Sequence, residues 1–177
     1  MPFYKERVMI TDWRSNVVRT IVIRTRKKER SGTYYVRAFE KQGIRIGKIV
    51  RTLLEDISLP AVDRAVQTSL IAASNADLDC PSCYTLQTTL AMGHGIARLE
   101  YCSLEEVLQF RLEYTDQPMG ERFIVAMNPV LKNDNQSHLL SVECNERGLW
   151  LYSYTYDLKT VRNKLNQFLW KLPASSL

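Results

Sequence analysis

Leu108, Phe110, Leu112 and Tyr114 alternate with Gln109, Arg111, Glu113 and Thr115. This period of two is the pattern that most restricts how the chain folds, because it predicts a half-buried strand with one apolar face. Similar segments surround it. Residues 84–90, 96–102, 122–127, 139–144 and 149–156 also read as strands, punctuated by turn signals at 93–95, 116–120 and 145–148. The region 84–156 therefore predicts a β-meander. Ser103-Leu104-Glu105-Glu106 has the form of a capping box, which predicts a short helical turn ahead of the 108–114 strand.

Three strand-like segments come earlier, at 7–13, 17–26 and 33–39. The second is rich in Val, Ile and Thr, which suit a pleated, half-buried surface. Residues 27–32 end in Ser31-Gly32 and predict a hairpin loop. Helical spacing follows. Ile46, Ile49, Val50, Leu53, Leu54 and Ile57 form one apolar stripe, and Pro60 starts a second helix carrying Val62, Ala65, Val66 and Leu70. Leu158, Val161, Leu165, Phe168, Leu169 and Leu172 predict a C-terminal helix, with Asp157 as N-cap and Pro173 as stop. The expected fold is α+β: three strands, two helices, about six strands and a helix, an antiparallel meander covered on one face by helices. In element order this resembles in outline the helix-grip fold of Bet v 1-like proteins, which implies helices gripping one face of the sheet.

At 177 residues, 45% of them apolar and 24% charged, the chain fits one folded domain spanning 1–177. No apolar run reaches the length of a membrane span. The first residues lack an apolar signal-peptide core, so an intracellular location, cytoplasmic or nuclear, is expected, with reduced cysteines. Charge is unevenly placed. Residues 1–51 hold 14 Lys/Arg against 4 Asp/Glu, residues 52–158 hold 6 against 15, and residues 159–177 hold 4 against none. A basic first third suggests a polyanionic partner, nucleic acid or an anionic membrane surface. The basic and acidic parts also suit contacts between copies of the chain, or neutralisation within one copy.

The basic segment supplies the candidate site: Arg19, Arg24, Arg26, Lys27, Lys28, Arg30, Tyr34, Arg37 and Lys41. Cationic side chains neutralise phosphates and release counterions, and interleaved aromatic rings stack exposed bases. The competing reading is a solvated hairpin tip whose charges protect an edge strand. Cys80 and Cys83, with His94 and Cys102, spell C-x2-C-x10-H-x7-C. That is an incomplete zinc pattern lacking a second C-x-x-C, so folding without metal is expected, with these four the only zinc candidates. Trp150, Tyr152, Tyr154 and Tyr156 alternate with Leu149, Leu151, Ser153 and Thr155. An aromatic stripe usually packs inward, leaving the serine and threonine outside; if the leucine face is core instead, the four rings line up outside as a stacking platform or a protein interface.

Catalysis has little support. His94 and His138 are the only imidazoles, and no nucleophile elbow, zincin helix or phosphate-cradling glycine loop is present. Glu105 and Glu106 are adjacent and would not converge on one substrate atom. No cofactor is expected. The expectation is a non-enzymatic binding protein, its basic N-terminal β region on nucleic acid or another polyanion. A self-associating structural protein of viral matrix or coat type is the main alternative. An enzyme or small-molecule binder with a helix-gripped cavity is the third.

Overall fold

The computed structural model describes residues 12–79, 85–131, 137–155, 157, 159 and 166–174. After a short 3-10 turn at Trp13–Asn16, strand β1 (Val17–Ile23) leads through β2 (Arg30–Ser31) into helix α1 (Thr33–Lys41). Then come β3 (Arg45–Ile46), α2 (Lys48–Asp56), β4 (Ser58–Leu59) and the long β5 (Val66–Ser74). Helix α3 (Leu86–Ala91) runs into a π-helical turn at Met92–Ile96, and α4 (Leu104–Glu113) follows. The chain ends with β6 (Arg122–Val125), β7 (Val130–Leu131), β8 (Ser137–Asn145), β9 (Gly148–Thr155) and β10 (Gln167–Lys171).

The main sheet runs β1-β5-β10-β6-β8-β9-β3, with β7 paired to the far end of β8; β2 and β4 form a separate two-stranded sheet. Two pairings are parallel, β10 with β6 and β3 with β9, and the others are antiparallel. This overturns the antiparallel meander and the helix-grip likeness. The fold is mixed α/β, with helices interrupting the region expected to be all strand.

Several segments change type, four of them for a clear local reason. The 108–114 alternation lies in α4, where the capping box is complete: Ser103 Oγ accepts from Glu106 N at 3.3 Å and Glu106 Oε2 accepts from Ser103 N at 2.7 Å. Val107, Leu108, Phe110 and Arg111 are all buried, so this helix is enclosed on more than one side and shows no clean helical stripe. Residues 33–39 are helical because Tyr35, Val36 and Phe39 fall on one buried face. Residues 66–74, expected as a helix, form a central strand. Thr68, Ser69, Leu70 and Ile71 are buried in succession, which erases the period of two. The expected C-terminal helix is replaced over 167–171 by β10, between β5 and β6, with Phe168, Leu169 and Trp170 all buried. Its expected anchors Val161 and Leu165 lie outside the described residues, as does most of the 7–13 segment. The 84–90 strand is likewise replaced by α3 over 86–91; of 96–102, Ile96 closes the π-helical turn and Glu100 makes a single antiparallel bridge to Lys171.

Helices lie on both faces. On one, Phe110 and Tyr114 of α4 meet Phe123 at ring-centroid separations of 6.4 and 6.3 Å. On this face Thr68 donates to Glu106 Oε1 at 3.1 Å, and Lys171 Nζ lies 3.4 Å from the same oxygen. Trp170, the neighbour of Lys171, points the other way beneath the π-helical turn; a Cβ on Gly93 would sit 2.2 Å from its ring. The aromatic stripe of β9 shares this second face and is not core. Leu151 and Ser153 are buried on the α4 side, whereas Tyr152 is 43% exposed and Trp150 and Tyr154 are half-buried; Tyr156 lies outside the described residues.

Candidate anion-binding cleft

The basic segment is not a hairpin loop. It is a strap from β1 to α1, clipped to residues 57–62. Arg26 and Val62 exchange backbone hydrogen bonds of 2.7 and 2.8 Å, Arg30 and Ser31 pair with Leu59 and Ser58, and Gly32 N donates to Ile57 O at 3.0 Å. Gly32 is required there, since a Cβ would lie 2.2 Å from the Leu54 carbonyl oxygen. The strap, α1 and α4 enclose a cleft of about 390 Å³. Arg24 and Arg30 line it from the strap, Tyr34 and Tyr35 from α1, and Gln109 and Glu113 from α4.

Side chains in the cleft are held by specific contacts. The Arg30 guanidinium lies 4.1 Å above the Tyr34 ring and 5.9 Å from that of Tyr35. Tyr34 is 49% exposed, so this cation–π stack stands at the rim. Tyr35 is fully buried and its hydroxyl donates to Glu105 Oε1 at 3.2 Å and Gln109 Oε1 at 3.4 Å. Burial, then the Glu105 charge, raises its phenol above the ordinary value of 10.0. Gln109 Nε2 donates to Glu113 Oε1 at 2.6 Å, which occupies one oxygen of that carboxylate. Glu105 is taken up by Arg26. The hydrogen bonds that Arg26 donates to Glu105 raise the guanidinium's pKa, outweighing the lowering effect of burial.

The nine expected residues are therefore divided. Arg24, Arg30 and Tyr34 come together at the cleft. Lys27 and Lys28 are exposed on the strap between Arg24 and Arg30. Arg37 and Lys41 are exposed on α1 at positions three and seven after Tyr34, along one helical stripe. Arg26 turns inward onto Glu105 and is removed from the surface. Arg19, on β1, pairs with Asp116 and lies 5.2 Å over the Tyr114 ring, away from the cleft.

Tyr35, one of the aromatic rings interleaved with the basic residues in the sequence, is buried, and Glu105, Gln109 and Glu113 were not foreseen. The signal for the last three was the capping box at Ser103, which starts a helix whose positions 105, 109 and 113 share one face. Glu105 and Glu106 diverge, the first toward Arg26 and the second toward Thr68 and Lys171.

Of the zinc candidates, Cys80 and Cys83 lie outside the described residues. His94 is exposed in the π-helical turn with Nδ1 3.0 Å from the Leu99 carbonyl oxygen. Cys102 is buried with its thiol directed at the Leu169 carbonyl oxygen, 3.7 Å away. Burial, then the charge of Glu106, pushes the Cys102 thiol well above its ordinary pKa. Among the described residues no three His, Cys, Asp or Glu side chains cluster as metal ligands, and no helix is long and apolar enough to cross a membrane. His138 is buried, with neither ring nitrogen partnered among the described residues, and it does not line the cleft. Compared with protein-family models, with curated proteins and with solved structures, the chain has no match.

Proposed function

We propose that the protein binds single-stranded nucleic acid, admitting an unstacked base at the cleft and holding flanking phosphates on the strap and α1. The observation that carries this reading is the Arg30–Tyr34 stack at the rim of a cleft that Arg24 also lines. A guanidinium over an exposed ring offers a π-surface and a phosphate donor at one point. Lys27, Lys28 and Arg37 extend the positive surface on either side. Paired strands keep their bases stacked, which favours single strands at such a cleft.

The test is fluorescence anisotropy with single- and double-stranded DNA and RNA across a salt series. Replacing Arg24 and Arg30 with glutamine should reduce the salt slope by roughly 1.4, about 0.7 per phosphate contact on a single strand. Tyr34→Ala should weaken single-strand binding by about 1–3 kcal/mol with the salt slope unchanged. Equal affinity in both variants, or tighter binding to duplex than to single strand, would remove the cleft from the function.

A further inference from the structure

The two ends of the main sheet are unlike. At one end β3 contributes only Arg45 and Ile46, paired with Trp150 and Leu151, so that edge is short. At the other end β1 runs for seven residues, and its ladder pairs to β5 alone among the described residues. Sheets usually protect such an edge with proline, inward charges or short length. Residues Arg19–Ile23 contain no proline, pair regularly with Leu70–Val66, and carry a β-branched residue at every position but the first. The single charge, Arg19, is already taken by Asp116. The register shift between Val17 and Arg19 ends the regular stretch on one side, leaving a five-residue segment.

We propose that a second copy of this chain occupies that edge, β1 against β1 in antiparallel register, with the two-fold axis at Ile21. The segment is self-complementary in that register. Ile21 meets Ile21, Arg19 meets Ile23, and Thr20 meets Val22, so no like charges stand opposite one another. Val22, 41% exposed in the single chain, gains a cross-strand partner on each side of the axis. An isologous contact of this kind closes after two copies, which a head-to-tail contact would not guarantee. Because the axis stands perpendicular to the sheet, α4 of both copies lies on one face. Val22, Ile23 and Arg24 line the cleft, so the two clefts flank the dimer seam with their Arg24 positions about 20 Å apart along the strands.

Two measurements on the full chain test this. Sedimentation velocity over a concentration series should show a monomer–dimer equilibrium, and Val22→Lys should raise its dissociation constant roughly tenfold by charging the edge. Val22 is an exposed position, and an unchanged thermal melt checks that the variant folds. For register, Thr20→Cys and Val22→Cys chains are mixed under mild oxidation, with the wild type as the background for the native cysteines. The mixture should yield a covalent heterodimer, because positions 20 and 22 face each other within disulfide reach. Each variant alone should stay at background. A monomer at every concentration, cross-linking of either variant alone at the rate of the mixture, or a Val22→Lys dimer as tight as wild type overturns the proposal.

Discussion

The Arg26 guanidinium and the Glu105 carboxylate meet through two hydrogen bonds, Nη1 to Oε1 at 2.6 Å and Nη2 to Oε2 at 2.9 Å, and each side chain is only 9% exposed. Arg26 Nη2 also donates to the Pro60 carbonyl, so the pair ties the strap, the 57–62 segment and α4 together. A buried pair of this kind loses more when one partner is removed than its own net contribution, because the remaining charge is stranded. Glu105→Gln should therefore lower the unfolding free energy by about 3–5 kcal/mol in urea titration. A change within about half a kcal/mol would mean that the pair is solvated in solution.

Phe168 is fully buried in β10, between Ala73 of β5 and Ile124 of β6. Phe168→Ala should cost roughly 3–5 kcal/mol, the range for a large aromatic lost from a packed interior. The measurement is the chemical unfolding midpoint at constant m-value. A surface position on a loose terminal helix would show almost none of this loss.

Gly93 sits where the π-helical turn crosses Trp170, and any Cβ there collides with the indole. Gly93→Ala should destabilise by about 1–3 kcal/mol through overpacking. Tryptophan fluorescence should report a moved ring at Trp170. An unshifted spectrum with unchanged stability would place the turn farther from the sheet.

Alkaline stability follows from Tyr35. Its folded pKa lies above the unfolded value of 10.0, so its contribution is complete below pH 10 and is lost as pH rises through the folded pKa. Above pH 10 the unfolded chain releases a proton that the native chain keeps, and stability should fall by about 1.4 kcal/mol per pH unit from this group. Burial and neighbouring carboxylates raise Tyr114 and Tyr154 in the same sense. Burial acts on Arg111 in the opposite sense, pulling its guanidinium down to about 10. Urea midpoints at pH 8, 9, 10 and 11 should decline less in Tyr35→Phe than in the wild type. Parallel curves would show that the phenol ionises equally in both states.

Arg19 and Arg24 lie on the same stretch of chain but have different fates. Arg19→Gln should leave nucleic-acid affinity and salt slope unchanged, since Asp116 already holds its charge away from the cleft. Arg24→Gln should flatten the slope by about 0.7. Binding isotherms at four salt concentrations separate the two. An equal loss in both would point to diffuse attraction by the whole basic region.

Much of the strand content was legible where one face of a strand stays wet. In β1, Ile21 and Ile23 are buried while Thr20 and Val22 are exposed, and β8 and β9 flank the expected turn at 145–148. The helix α2 was legible for the same reason, with Val50 and Leu54 buried on one side. Legibility failed where burial is two-sided. β5 and β10 are enclosed on both faces, and α4 is enclosed on more than one, so none shows its own period. At the cleft, Arg24, Arg30 and Tyr34 were legible by residue type. The neutralisation of Arg26 was not, because Glu105 is 79 residues away in sequence and reaches it only once α4 is packed.

β10 stands in the middle of the main sheet, yet it follows both its neighbours, β5 and β6, in the chain. Before residues 167–171 are in place, β1–β5 and β6–β8–β9–β3 are two half-sheets with no backbone hydrogen bond between them, each exposing an apolar inner edge. Joining them needs contacts between segments far apart in sequence, whose loop entropy must be overcome before the ladder forms. Synthesis on the ribosome therefore completes every other strand of the sheet before β10 can close it. In that interval the open edges of β5 and β6 are the surfaces through which two unfinished chains would exchange strands.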